Sequence, residues 1–154
     1  MEIKTRFFGN QDIDPDSIIT FPKGIPGFEK LIRYKLFHQE GSDKIFWLQA
    51  IDDQLLSFSV TQPSHFKINY QFVLTDEEQT TLKATENTEL IFLILLHQDQ
   101  NKLGPDQKPT VKGSINSPLV INVTDRIGIQ KNLRNAEQSI ILSDNNNEID
   151  VSET

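Results

Sequence analysis

Residues 21–29, Phe-Pro-Lys-Gly-Ile-Pro-Gly-Phe-Glu, restrict the fold more than any other stretch of the chain. Pro22 and Pro26 each hold φ at about −65° and lack a backbone donor, while Gly24 and Gly27 accept φ > 0. A segment that interleaves the two residue types cannot run as a helix or a continuous strand, and it specifies successive tight turns. Phe21, Ile25 and Phe28 are the apolar anchors expected to hold that turn against a core, since an unanchored Gly/Pro loop would stay mobile.

Around this turn the chain reads as short strands. Residues 3–8 alternate Ile3, Thr5 and Phe7 with Lys4 and Arg6, the period of a half-buried strand. The acidic stretch 10–16 reads as a polar turn without the Gly and terminal Glu of a calcium loop. A short strand at 17–21 follows. Residues 33–38 and 46–51 form a predicted hairpin across the polar loop 39–44. Asp52, Asp53 and Gln54 reverse the chain into an alternating strand at 55–61, which Pro63 ends because it has no N–H for a ladder. An extended segment at 69–74 leads to Thr75-Asp76-Glu77-Glu78, where Thr75 is the cap and Glu78 occupies the capping-box position of a short helix.

Residues 90–96, Leu-Ile-Phe-Leu-Ile-Leu-Leu, are apolar without alternation. A strand of that kind has both faces covered and belongs at the centre of the architecture. Residues 98–109 read as a polar loop, and strands are expected at 110–115, 118–123, 127–133 and 139–142. About nine or ten short strands with one or two short helices define an all-β, small β-barrel-like fold or a sandwich. A single domain over residues 1–142 is expected, with residues 143–154, which carry four acids and no base, as an acidic disordered tail.

With 22 acidic against 15 basic residues the net charge is −7. A protein that neutralises nucleic-acid phosphates needs a basic face, so no direct nucleic-acid contact is expected. The acidic balance suits a basic protein partner as well as it suits plain solubility. No apolar run approaches the length of a membrane span and the first residues lack a signal-peptide pattern, so no membrane association and a cytoplasmic location are expected. The chain has no cysteine, which removes disulfides, thiolate chemistry and cysteine-bound metals.

Catalytic patterns are absent from the sequence. There is no phosphate loop, no Gly-x-Gly-x-x-Gly and no Gly-x-Ser-x-Gly, and His38, His65 and His97 accompany no nucleophile motif. No enzymatic activity, cofactor or metal site is expected. Adjacent Asp52 and Asp53 resemble an acid/base pair on paper, but successive side chains of an extended chain diverge, so turn chemistry is the better reading. Trp47, Tyr34 and Tyr70 keep open a second class of function, a β-barrel module that stacks a small ligand such as a sugar.

Taken together, several segments resemble the FliW family of flagellar assembly factors. Residues 21–29 are similar to the family motif Phe-x-x-Gly-Ile/Leu-Pro-Gly-Phe-Glu with its spacing intact. Leu48-Gln49-Ala50 with Asp52-Asp53, Phe58 with Pro63, Phe66 with Tyr70, and Pro118-Leu119-Val120-Ile121-Asn122 followed by Arg126-Ile127-Gly128-Ile129-Gln130 resemble later sections in the family's order. Ser114-Ile115 stands where the family commonly has Asn-Leu. The resemblance implies a non-enzymatic protein that binds flagellin and, alternatively, the basic RNA-binding regulator CsrA, relieving its repression of flagellin translation by partner switching. Partner contacts are expected from exposed acids on turns, Asp52, Asp53, Glu77 and Glu78, and from the edge of the Gly/Pro turn at Phe28 and Glu29, because turns present side chains without disturbing a sheet.

Overall fold

The computed structural model describes residues 1–71, 73–103, 109–133, 139–142 and 149–152. Seven strands close into a barrel: β3 (Ile19–Thr20), β4 (Arg33–His38), β5 (Ile45–Ala50), β6 (Ser57–Thr61), β8 (Leu90–Leu103), β10 (Leu119–Asn122) and β11 (Ile127–Gln130). The ring runs β3-β4-β5-β6-β8-β10-β11 and returns from β11 to β3 through a parallel bridge, Ile127 opposite Thr20, while every other join is antiparallel. Closure removes the edges that an open sheet would leave exposed.

The unbroken apolar run is explained by what lies on each side of β8. Leu93 points into the barrel with Phe21, Tyr34, Leu48 and Val60. Ile94 packs outside with Phe66, Ile68, Ile115 and Leu133. Strand β10 is likewise buried at all four positions: Leu119 and Ile121 face inward, whereas Val120 packs outward with Leu82 and Ile129. Leu82 is the one buried residue of helix α1 (Asp76–Leu82), so it holds the helix against the barrel wall. Burying such a side chain contributes about 2 kcal/mol.

The predicted 33–38 and 46–51 hairpin forms as β4 and β5, with Phe37 opposite Trp47. The helix starts where its cap predicts. Thr75 accepts from the Glu78 amide at 3.1 Å, and the Glu78 carboxylate accepts from the Thr75 amide at 2.8 Å.

Several expectations are corrected. Strand β1 (Glu2–Lys4) stops before the predicted Phe8, because Thr5 turns the chain: its amide and hydroxyl both donate to Gly9 C=O at 3.0 and 2.7 Å. The supposed polar turn then contains β2 (Asn10–Asp12), the other half of that hairpin. Ile3 and Thr5 are buried as expected, but Phe7 is half exposed and lies on Trp47, with centroids 4.4 Å apart. Residues 98–103 are strand rather than loop, since β8 runs past the barrel and pairs with β9 (Pro109–Ser114), which pairs in turn with β12 (Ser139–Leu142). A ladder satisfies backbone groups whatever the polarity of the side chains.

Strand β7 (Ile68–Gln71) stands outside the barrel sheet and pairs in parallel with β13 (Ile149–Ser152). The acidic tail therefore includes a strand where composition had suggested disorder. Apolar Ile149 and Val151 alternate with polar Asp150 and Ser152 there, the period that a ladder accepts. The remaining tail residues, 143–148 and 153–154, lie outside the described residues. With these peripheral pieces the strands among the described residues number thirteen, accompanied by α1 and two short 3-10 turns.

Candidate functional site

The Gly/Pro turn is held by main-chain bonds at close spacing. Gly24 N–H donates to Phe21 C=O and Phe28 N–H to Ile25 C=O, each at 2.7 Å, and Leu31 N–H reaches Phe28 C=O at 3.0 Å. Gly24 (φ +70°) has no room for a side chain: a Cβ there would lie 2.4 Å from the Glu29 Cα. Phe21 and Ile25 are buried as predicted. The Phe21 ring stands edge-on to Tyr34 at 5.5 Å and rests so closely on Gly128 that a Cβ at that glycine would come within 2.6 Å of it. Phe28 departs from its expected role as an anchor. It is 40 % exposed and meets only the edge of Phe58, at 5.2 Å, because the glycine at 27 (φ +91°) swings it outward.

Between this turn, α1 and β11 lies a cleft of about 350 Å³ lined by Glu29, Glu77 and Glu78, with Lys23, Thr75 and Gln130 among its other polar residues. Three of the sequence candidates thus converge. The exposed Glu77 is ion-paired with Lys23, tying the helix to the turn. Glu78 joins the cap to Lys131 Nζ at 2.8 Å. Burial pushes the Glu78 carboxyl up, but the Lys131 ammonium and the Thr75 amide outweigh it and leave it below the usual carboxylate range. The exposed Glu29 carboxylate accepts from Gly27 N–H at 3.0 Å, which holds it low as well. The three carboxylates meet two ammonium groups, Lys23 and Lys131, which leaves one net negative charge on the cleft and suits it to a cationic group of a partner.

Phe28 lines a shallower hollow with Gly27, Glu29, Lys30 and Leu31, and Glu29 is common to both depressions. Asp52 and Asp53 are exposed and line neither. Asp52 grips Arg33 with both oxygens, at 2.6 Å from Nη2 and 3.1 Å from Nε, and the guanidinium depresses its carboxyl. The Asp53 side chain accepts from Leu55 N–H at 3.0 Å. Asp53 thus does the turn chemistry expected of it, whereas Asp52 is held by an ion pair with the neighbouring strand, and the two side chains diverge.

Sequence reasoning missed Lys131, which is 5 % exposed. It meets a glutamate 53 positions away, and no local pattern signals such a pair. Gln49 was quoted only as part of a motif. It is fully buried, and its Oε1 accepts from Arg6 N–H at 2.9 Å. Its Nε2 lies 3.0 to 3.2 Å from the carbonyls of Ala50, Asp53, Gln54 and Leu56. Asn122, which begins a glycosylation-type triplet, is also fully buried, and its Nδ2 donates to Leu82 C=O at 2.8 Å. It ties the end of α1 to the barrel, and its burial leaves no room for a glycan.

All three aromatic residues considered for ligand stacking are committed elsewhere. Tyr34 is enclosed in the core, where burial pushes its hydroxyl up to about 12. Tyr70 donates to Ile115 C=O at 2.6 Å, and the indole N–H of Trp47 bonds to Gln39 Oε1 beneath Phe7. The exposed His38 ring lies against Phe46 at 4.6 Å. Among the described residues no group of three His, Asp or Glu could hold a metal ion, and no helix is long and apolar enough to cross a membrane.

A closed, mostly antiparallel barrel carrying one short helix is the class of fold that these strands define. A crystal structure of the flagellar assembly factor FliW superposes with a TM-score of 0.75 at 26 % identity, over 89 % of this chain and 91 % of that one. A flagellar assembly factor FliW of Azoarcus sp. (strain BH72) is 38 % identical over 143 residues, 92 % of this chain and 97 % of the relative. One of Chromobacterium violaceum is 34 % identical, over 85 % and 92 %. The sequence model of the FliW protein family matches residues 2–142, and the chain belongs to that family.

Proposed function

We propose that this protein is a cytoplasmic, non-enzymatic flagellar assembly factor that binds flagellin and, alternatively, CsrA. Free factor would sequester CsrA and relieve repression of flagellin translation, and excess flagellin would recapture the factor. The observation that carries the reading is family membership across residues 2–142. The acidic cleft supports its charge logic, since a basic RNA-binding partner is the complement of Glu29, Glu77 and Glu78. RNA enters this scheme only through CsrA. The proposed contact surface is the cleft with Phe28 beside it, and Asp52 and Asp53 form an outlying acidic contact.

Calorimetry with purified flagellin and CsrA, followed by competition between them, tests the proposal. Binding to both with mutual displacement is expected, and binding to neither overturns it. Binding to flagellin alone removes the regulatory half. The double variant Glu29→Lys/Glu77→Lys is expected to weaken CsrA at least tenfold, and Asp52→Lys/Asp53→Lys to weaken it less. The reverse order moves the principal surface to the second turn.

A further inference from the structure

Strand β7 is the one strand of the 57–71 region that the barrel does not absorb. It is nevertheless firmly seated. Ile68 is buried with Ile94 and Ile115, and Tyr70 rests near Phe92 and bonds to Ile115 C=O. Its start is set by Lys67 in the left-handed region (φ 55°), whose N–H returns to Ser64 C=O at 3.3 Å. Beside it runs a groove of about 310 Å³ lined by Pro63, Ile68, Tyr70, Ile91 and Phe92 among others. A seated strand with a groove at its side that is apolar except for Gln62, Ser64 and Asn69 is a preformed acceptor for strand addition.

The strand that pairs with β7 differs in kind. β13 comes from the tail, beyond residue 142 where the family match ends, and pairs with β7 over four positions. Ile149 and Val151 stand at the register positions opposite Ile68 and Tyr70. Parallel pairs are the weaker kind, and a two-stranded ladder is marginal on its own. Six residues, 143–148, Ser-Asp-Asn-Asn-Asn-Glu, separate β12 from β13 in sequence, and so short a tether makes the pairing intramolecular, at an effective concentration on the order of 1 mM. A tail held at that concentration covers the edge yet yields to a better strand.

We infer that the outer edge of β7 is a strand-addition site for an extended partner segment with apolar residues at alternate positions, and that the chain's own tail strand is its exchangeable cover. The inference goes beyond the cleft and does not depend on which partner binds there. It makes the tail a competitor that sets a threshold for a second contact.

The test uses the full chain and its variant Ile149→Asp/Val151→Asp, with a synthetic peptide of residues 143–154 as the probe. Amide exchange at Ile68–Gln71 is expected to quicken at least tenfold in the variant, while the barrel amides of Leu48 and Val60 stay unchanged. The peptide, titrated into the millimolar range and followed by the amide shifts of Ile68–Gln71, is expected to bind the variant at least tenfold more tightly than the parent. A peptide carrying the same two substitutions is expected not to bind. Equal exchange in the two proteins, or a peptide that binds both alike or neither, overturns the inference.

Discussion

The turn at residues 21–29 and the turn at residues 52–56 both carry carboxylates into solvent, and they are shaped by different forces. In the first, the backbone decides. Gly24 takes a left-handed conformation against the Glu29 main chain, and Phe21 and Ile25 sink into the core. In the second, side chains decide. Asp52 clasps Arg33, Asp53 caps Leu55, and buried Gln49 reaches the carbonyls from beneath. A turn built from Gly and Pro leaves its acids free to face a cleft. A turn built from acids commits them to neighbouring side chains and backbone, so Asp52 is clasped by Arg33, whereas Glu29 bonds only the exposed Gly27 N–H and still lines the cleft.

The contrast breaks most sharply at Gly24. Gly24→Ala is expected to lower stability by about 3 kcal/mol or more, because strain and a main-chain clash combine. Gly27→Ala, where a Cβ meets nothing within 4 Å, is expected to cost about 1 kcal/mol from its positive φ alone. Urea unfolding of the two variants measures the difference, and equal losses would mean that φ rather than the Glu29 contact governs the turn.

The side-chain turn should fail at Gln49. Gln49→Ala leaves Arg6 N–H and several turn carbonyls without their partner and is expected to cost about 2 kcal/mol. Amide exchange should quicken at both Arg6 and Leu55, since one residue supports the N-terminal hairpin and the turn together. Loss at Leu55 alone would separate the two.

The smallest effects lie in the carboxylates. Glu78 titrates below its ordinary value in the folded protein, so its ionic contribution is intact above about pH 4.3 and is lost as the pH falls through the lower folded value. Glu78→Gln is expected to cost about 1 kcal/mol at neutral pH through the Lys131 pair and to flatten the acid limb of the stability curve. Asp52 shifts in the same direction but is half exposed. Asp52→Asn should therefore cost less than about 0.5 kcal/mol. Chemical unfolding at pH 7 and pH 3 compares them, and an equal acid response would place the two pairs in equivalent surroundings.

Local chemistry carried much of the fold into view. The capping box at Thr75, the β4–β5 hairpin and the two-sided burial of residues 90–96 follow from cap geometry, periodicity and apolar continuity, all of which act within a few residues. The extent of β8 was hidden because the polar residues 98–102 owe their strand to a partner ladder. Phe7 was misplaced because Thr5 closes a turn with its side chain, and the alternation gives no sign of it.

The chain's own residues determined that 21–29 must turn, that residues 90–96 must be enclosed and that a helix starts at Thr75, since φ limits, burial and capping are local properties. Only the tertiary structure decided that the turn meets the helix. Lys23 with Glu77 and Glu78 with Lys131 join residues 54 and 53 positions apart, and barrel closure from β11 back to β3 brings them together. That closure is why Glu29, Glu77 and Glu78 share one cleft while Asp52 and Asp53 stand apart.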